Sequence, residues 1–509
     1  VKEAPAPKGT AHVFVKEFKF AGSTIFSEKE LQEELHEFIN KELSMDEINQ
    51  AIAKINNKYR ILGFIWVSVI IPEQQIKESI ISVDIIEGRV GNIVISGANH
   101  YSENFIRNHF HPTIKGILNY NQLVKSLLVL NEYLGLHVKS ILERGSMPGT
   151  ADIFLDITDK KPIRAGMSYN NYGTKYVSKR RQGMFFEMGN FVMPGADFSV
   201  TGIYGSPLNS LAYNQYSYTF PINKHNTKVD FKYLRSSFQA RESYVGFESE
   251  GKSQIYSTGL SHPLIRNQNT YSNIGLLFDY ADIKNYQIEA KNIDDQLRVL
   301  RLDYKLEHAD TYKGINSVDL KLSFGMDDIM GASRDDNTYA SRSGGGADYV
   351  KANLDIYRVQ DLFGDFKLGK RLSAQSSDTT LPIYEQISLG GANSVRGYAE
   401  SEYLGDSGYI TSLELTTPLP FLLNKKVPFI DKRWKDVVRF ACFFDHGGIY
   451  LERAGAGEGS TEYIRGAGVG LRITLPDDLS IILDWAWPLG KEPRASNDSA
   501  FYIKISKEF

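Results

Sequence analysis

Few of the residues that carry covalent or metal chemistry stand in a pattern that uses it. Cys442 is the only cysteine, which excludes an intrachain disulfide and a thiolate zinc cluster. His100, His109 and His111 cluster beside an expected helix end without a carboxylate constellation and read as surface side chains rather than metal ligands. Gly405-Asp406-Ser407-Gly408 has the outline of a serine-protease nucleophile loop, but the Gly-Pro that should follow is missing and the segment falls where a turn is needed. Gly344-Gly345-Gly346 lacks the strand-to-helix context of a phosphate cradle and reads as a flexible loop. No nucleotide-binding site is expected. Neither catalysis nor a cofactor is therefore expected. Two glycine-rich segments remain, Ser388-Leu389-Gly390-Gly391 with Val395-Arg396-Gly397-Tyr398, and Phe443-Phe444-Asp445-His446-Gly447. Each sets a charge among aromatics and glycines.

The elements that hold these residues follow from length and pattern. At 509 residues the chain exceeds one ordinary hydrophobic core, so it needs several domains or one enlarged by closure. With 58 Lys plus Arg against 61 Asp plus Glu, a net charge of -3 gives no pull toward nucleic acid. Mean hydropathy is -0.30, and no run approaches the roughly 18 apolar residues of a spanning helix. The 29 Tyr, 28 Phe and 43 Gly instead suit alternating strands with tight turns, which can cross a membrane as a closed barrel.

Residues 11–160 read as two copies of one α+β unit, with boundaries expected at 11–89 and 90–160 after a stub of residues 1–10. Phe18-Lys19-Phe20-Ala21-Gly22 precedes Phe26-Ser27-Glu28, and Ile93-Val94-Ile95-Ser96-Gly97 precedes Tyr101-Ser102-Glu103 in the same register. Ser27 with Glu30, and Ser44 with Glu47, spell capping boxes that start two helices. Ile48, Ile52 and Ile55 keep helical spacing until Gly63, and β-branched residues then predict a strand over 64–71. The second copy predicts a helix from Asn121 to Leu134 ended by Gly135, then strands over His137–Arg144 and Ala151–Thr158.

After Pro162 the period changes to two. Leu300, Leu302, Tyr304 and Leu306 alternate with Arg301, Asp303, Lys305 and Glu307, and the chain ends in the same way through Phe501, Ile503 and Ile505 to Phe509. About sixteen such segments fit residues 161–509, the spacing of a bacterial barrel with short turns on one side and long loops on the other. Residues 221–226 are turn-sized, whereas 326–347 is a long polar connection. A soluble β-sandwich or propeller would also alternate, but its aromatic-rich face would have to fit a dry interior. Cys442, alternating with Phe440 and Phe444, is expected on the lipid side.

Two tandem α+β units, a barrel of this size, the two motifs and a terminal Phe together resemble two-partner secretion transporters, the TpsB type of outer-membrane translocator, with the α+β units resembling POTRA domains. The resemblance implies tandem periplasmic POTRA domains followed by a sixteen-stranded antiparallel barrel in the bacterial outer membrane. It further implies a loop around residues 386–406 that folds inward and brings Arg396, flanked by Val395, Gly397 and Tyr398, to an ion pair with Asp445 of the wall motif bounded by Phe443 and Gly447. A guanidinium at the wall of a narrow lumen loses hydration and is tolerated only against a carboxylate, best bidentately. Related transporters usually begin with a helix that plugs the barrel, whereas only about ten residues precede the first unit here, which leaves the resting-state seal open.

The function so implied is capture of a large unfolded exoprotein (TpsA type) in the periplasm and its export through the pore, by a monomer set in outer-membrane lipid. An open-edged strand can take an extended client by adding a strand. The resemblance points to the edge at His137–Arg144, with Val138, Ile141, Phe105 and Ile106 as apolar contacts. An assembly factor of the same superfamily that inserts other barrels is the alternative, although such factors usually carry three or more POTRA domains. A lipid hydrolase would need Ser, His and acid at the barrel rim, and a simple porin would not need residues 11–160.

Overall fold

Local signals place the first elements, and long-range pairing assembles them. The structure, a computed structural model, describes residues 12–240, 249–288, 290–419, 424–428, 430–455, 457–494 and 498–509. The expected stub, 1–10, lies outside them. The chain divides into two units, Val1–Lys161 and Pro162–Phe509.

In the first unit both capping boxes form. The Ser27 hydroxyl accepts from the Glu30 amide at the head of helix Glu28–Glu34, and Ser44 does the same for Glu47 at the head of helix Met45–Ile61. The longer helix buries Ile48, Ala51, Ile55 and Tyr59 with Val69, Ile81 and Val83 of a three-stranded sheet. In that sheet Ile80–Glu87 lies between Glu17–Ala21 and Val67–Ile70, parallel to the former and antiparallel to the latter. A second α+β arrangement follows within the same unit. Its sheet order is Thr113–Ile114, Ile117–Leu118, Arg89–Ser96, Thr150–Asp159, Leu136–Arg144.

The sequence repeat is a repeat of geometry. Gly22 and Gly97 have φ of 88° and 85°, and a Cβ on either would lie 2.2 Å from a carbonyl oxygen, of Ile85 and Ile157 respectively. A carboxylate then closes each copy on the turn after its glycine. Glu87 accepts from the Thr24 and Ile25 amides at 2.9 and 3.0 Å, and Asp159 accepts from the Asn99, His100 and Tyr101 amides at 2.8, 2.5 and 3.2 Å.

The second copy departs from expectation at one helix. It spans Tyr120–Leu130, not Asn121–Leu134. Asn131 ends it, because its side chain exchanges two hydrogen bonds with the Val138 backbone, at 3.0 and 2.7 Å, and so turns the chain before Gly135 is reached.

The second unit is a closed antiparallel barrel of sixteen strands in sequence order, from Ile163–Asn170 to Ala500–Glu508. The sandwich alternative is thereby excluded. Leu302, Leu320, Phe324, Leu413, Phe444, Trp485 and Phe501 stand exposed on the outer face, while Arg301, Asp303, Lys321, Glu414 and Asp445 point inward on the alternate positions. Cys442 is exposed on the outside. Turns at 222–227, 267–269 and 310–313 lie at the end where the first strand begins, although the connection there that carries helix Trp434–Val437 is longer. The opposite end carries 326–349 and 378–406. The first and last strands close the barrel over five registered pairs, Gly166↔Glu508 to Asn170↔Lys504.

Candidate functional site: the inward loop and its ion cluster

Residues 378–406 connect strands Lys367–Ser377 and Ser407–Pro418 and fold against the inner wall. A short hairpin, Ile387–Leu389 with Tyr403–Gly405, forms the neck of this loop. Leu389, Val395, Tyr398 and Tyr403 pack on Ile410, Ile449 and Ile464 of the wall. Gly447 makes the room, since a Cβ there would lie 2.8 Å from Leu389 Cδ2 and 3.1 Å from Val395 Cγ2. Gly397 turns the tip with φ of 102°, and its amide donates to the Tyr502 hydroxyl at 3.1 Å. That hydroxyl donates to the Tyr398 carbonyl at 3.0 Å, and the Tyr398 hydroxyl reaches the Lys491 carbonyl at 2.8 Å.

These contacts deliver Arg396 to Asp445, whose side chain has 0% exposure. Nε lies 2.7 Å from Oδ2 and Nη2 lies 2.9 Å from Oδ1, a bidentate pair, and the Arg396 amide adds a bond to Oδ2 at 3.1 Å. The Phe443 ring lies 3.3 Å from the guanidinium carbon, so one face of the cation rests on π density.

Arg396 has partners outside the two motifs. Nη1 also meets Glu414 at 3.0 Å and Asp484 at 3.4 Å. Arg472 bridges the same two carboxylates at 2.8 and 2.6 Å, and Ser412 donates to Asp445 at 2.6 Å. Three carboxylates thus share two guanidiniums. The signal that could have found them is parity, because Glu414 stands between Leu413 and Leu415, and Asp484 between Leu483 and Trp485, charged inward positions on strands with apolar outer faces.

A family model described as haemolysin secretion/activation protein ShlB/FhaC/HecB matches residues 149–473, and one for the ShlB-type POTRA domain matches residues 13–88. The chain belongs to the ShlB/FhaC/HecB family. As a member it is an outer-membrane β-barrel translocator of two-partner secretion, with its POTRA domain in the periplasm. It is 21% identical over 507 residues to the heme/hemopexin transporter protein HuxB of Haemophilus influenzae, covering 94% of this chain and 84% of HuxB. The solved structure of CdiB from Escherichia coli has the same fold, with a TM-score of 0.82 at 19% identity over 100% of this chain and 93% of CdiB. BamA from Haemophilus ducreyi lacking POTRA domains 1–3 aligns less well, with a TM-score of 0.57 at 13% identity over 98% of this chain and 100% of that one.

The family's transport role leaves the other sequence features to be placed. Leu136–Arg144 is an edge strand. Of the four residues expected to line a groove there, Val138, Phe105 and Ile106 are packed in the domain core, and only Ile141 is exposed, at 56%. They therefore do not form one apolar pocket. An open apolar groove lies instead in the first domain, between helix Met45–Ile61 and edge strand Val67–Ile70, lined by Met45, Ile48, Ile52, Val69 and Ile76. Asp406, expected in a plain turn, is fully buried and accepts from Arg342, Leu381, Gln386 and Glu452. Gly345 and Gly346, expected in a flexible loop, are buried together with Ala347. His109 packs against Phe105 with ring centroids 4.4 Å apart and the rings tilted by 40°, and His100 approaches Asp159 at 3.4 Å.

Proposed function

We propose that this translocator captures one large exoprotein in unfolded form through its periplasmic domains and exports it past the inward loop, acting as a monomer in outer-membrane lipid. In this reading residues 90–160 form a second POTRA domain beside the one at 13–88. The client adds to the edge Leu136–Arg144, where Ile141 presents its side chain, or seats apolar residues in the groove of the first domain. Arg396 and Asp445 hold the loop in the pore, and movement of this loop tunes or gates passage. The observation that carries the reading is the bidentate Arg396–Asp445 pair, which ties a long loop to the inner wall. No nucleotide step is required, since folding of the client outside supplies a drive. HuxB, by its name a heme/hemopexin transporter, supports a transport role for this chain.

The test is to express the chain with the large exoprotein encoded beside it and to follow the partner into the medium or to the cell surface by immunoblot. Release that requires both the chain and Arg396 is expected. Absence of release, with other outer-membrane barrels failing to assemble on depletion, would instead support the insertase.

A further inference from the structure

The inward loop meets the wall at a second place that the Arg396 cluster does not account for. Just before the hairpin neck, the 3-10 turn Ile383–Glu385 brings Glu385 against the wall with 3% of its side chain exposed. Arg301 spans both carboxylate oxygens, with Nη2 at 2.7 Å from Oε1 and Nη1 at 3.4 Å from Oε2. Lys351 Nζ lies 2.5 Å from Oε2. The Glu385 backbone carbonyl accepts again from Lys351 at 2.9 Å and from Gln375 at 3.0 Å. Arg301 is itself fixed by Asp279 at 2.7 Å and Ser323 at 2.8 Å.

Strand assignment gives this cluster its meaning. Asp279, Arg301, Ser323, Lys351 and Gln375 stand on five successive strands, Thr270–Gln287 through Lys367–Ser377, all before the loop in sequence. Glu414, Asp445, Arg472, Asp484 and Tyr502 stand on the five that follow it, Ser407–Pro418 through Ala500–Glu508. The two clusters share no residue. A loop held at one point can pivot about it, whereas one held at two points on different strands keeps a fixed path across the lumen. Charge is also balanced locally, two cations against two carboxylates. Removal of Glu385 therefore leaves the buried Lys351 ammonium without its carboxylate, while Arg301 keeps Asp279, rather than merely deleting a bond.

We propose that Glu385 is a second anchoring residue of the inward loop, which positions the loop independently of Arg396 and so sets the free cross-section of the pore. This rests on the translocator reading for the meaning of the pore, but its test does not use the exported partner. Single-channel conductance of the purified full chain in planar lipid bilayers is compared for wild type, Glu385→Gln, Arg396→Ala and the double variant. Glu385→Gln should raise the conductance. In the double variant the two effects should multiply within about twofold, as for sites without shared partners. Wild-type conductance in Glu385→Gln overturns the proposal, as does a double variant no different from Arg396→Ala. If Glu385→Gln loses the heat-modifiable gel shift of a folded barrel, Glu385→Gln with Lys351→Met removes a buried cation together with its partner and is judged by the same readout. A wild-type chain that conducts but exports no partner faults the translocator reading alone.

Discussion

Replacing Arg396 by alanine leaves three inward carboxylates with one guanidinium. Asp445 would keep only the Ser412 hydroxyl at 2.6 Å and the backbone amide of residue 396 at 3.1 Å, while Glu414 and Asp484 would keep Arg472. Removing one member of a buried pair costs about 3–5 kcal/mol. At about 1.4 kcal/mol per tenfold, that raises the unseated population of the loop by roughly a hundredfold or more. Val395, at 0% exposure, reports this directly. With exposed Cys442 changed to serine, the rate at which Val395→Cys reacts with a maleimide follows opening of the loop. Arg396→Ala should label roughly a hundredfold faster than its parent. Asp445→Asn should show a smaller rise, because Arg396 retains Glu414 and Asp484. Arg396→Lys should also fall short of the alanine variant, since an ammonium keeps the charge but not the fork. Equal labelling rates in Arg396→Ala and its parent would refute the reasoning.

The same structure carries three further expectations. Gly397→Ala forces φ of 102° on an alanine and sets its Cβ 2.7 Å from the Pro488 nitrogen, so export should fail while the barrel keeps its heat-modifiable gel shift; normal export would contradict the close approach. At Asp159 burial pushes the carboxyl up, but the amides of His100, Asn99 and Tyr101 outweigh it and hold the pKa at about 2. Its folded value lies below the unfolded one of 3.8, so its stabilisation is present above that value and is lost as pH falls toward about 2. Asp159→Asn should cost about 1–2 kcal/mol near neutral pH and flatten the acid limb of a chemical-denaturation series. Ile141→Asp should weaken binding of an unfolded client segment with the domain still folded, and unchanged affinity would reject that edge.

What was legible in the sequence was local or periodic. The capping boxes at Ser27 and Ser44 were readable because cap and partner lie three residues apart, and barrel alternation was readable because the outer face meets lipid. The helix ending at Asn131 was not, because its stop is a side chain pairing with a strand still to come. Val138, Phe105 and Ile106 share an apolar pattern that core and groove residues have in common, and only the packed sheet tells them apart. The Arg396 motif announced one partner. Glu414, Asp484 and Arg472 carry no motif, and their convergence depends on the register of strands far apart in sequence. Glu385 and Asp406 were hidden for the same reason, as ordinary acidic residues in a long connection.

The closing seam also bears on how the barrel is made. Ile503 donates to the Asn171 side chain across 332 residues of sequence, and the five backbone pairs beside it are as remote. Every other barrel strand can zip onto the strand before it. This one must wait, because the chord it closes spans the whole unit. Until Ala500–Glu508 arrives, the growing sheet carries two unpaired edges, the form of β-structure most open to adhesion with other chains. Contacts of such separation also slow folding, because the entropy of closure is spent before the seam returns anything. The nascent translocator thus passes through an interval in which it is itself an unfolded, sticky client, and whatever escorts it to the membrane must shield those two edges until its final strand docks.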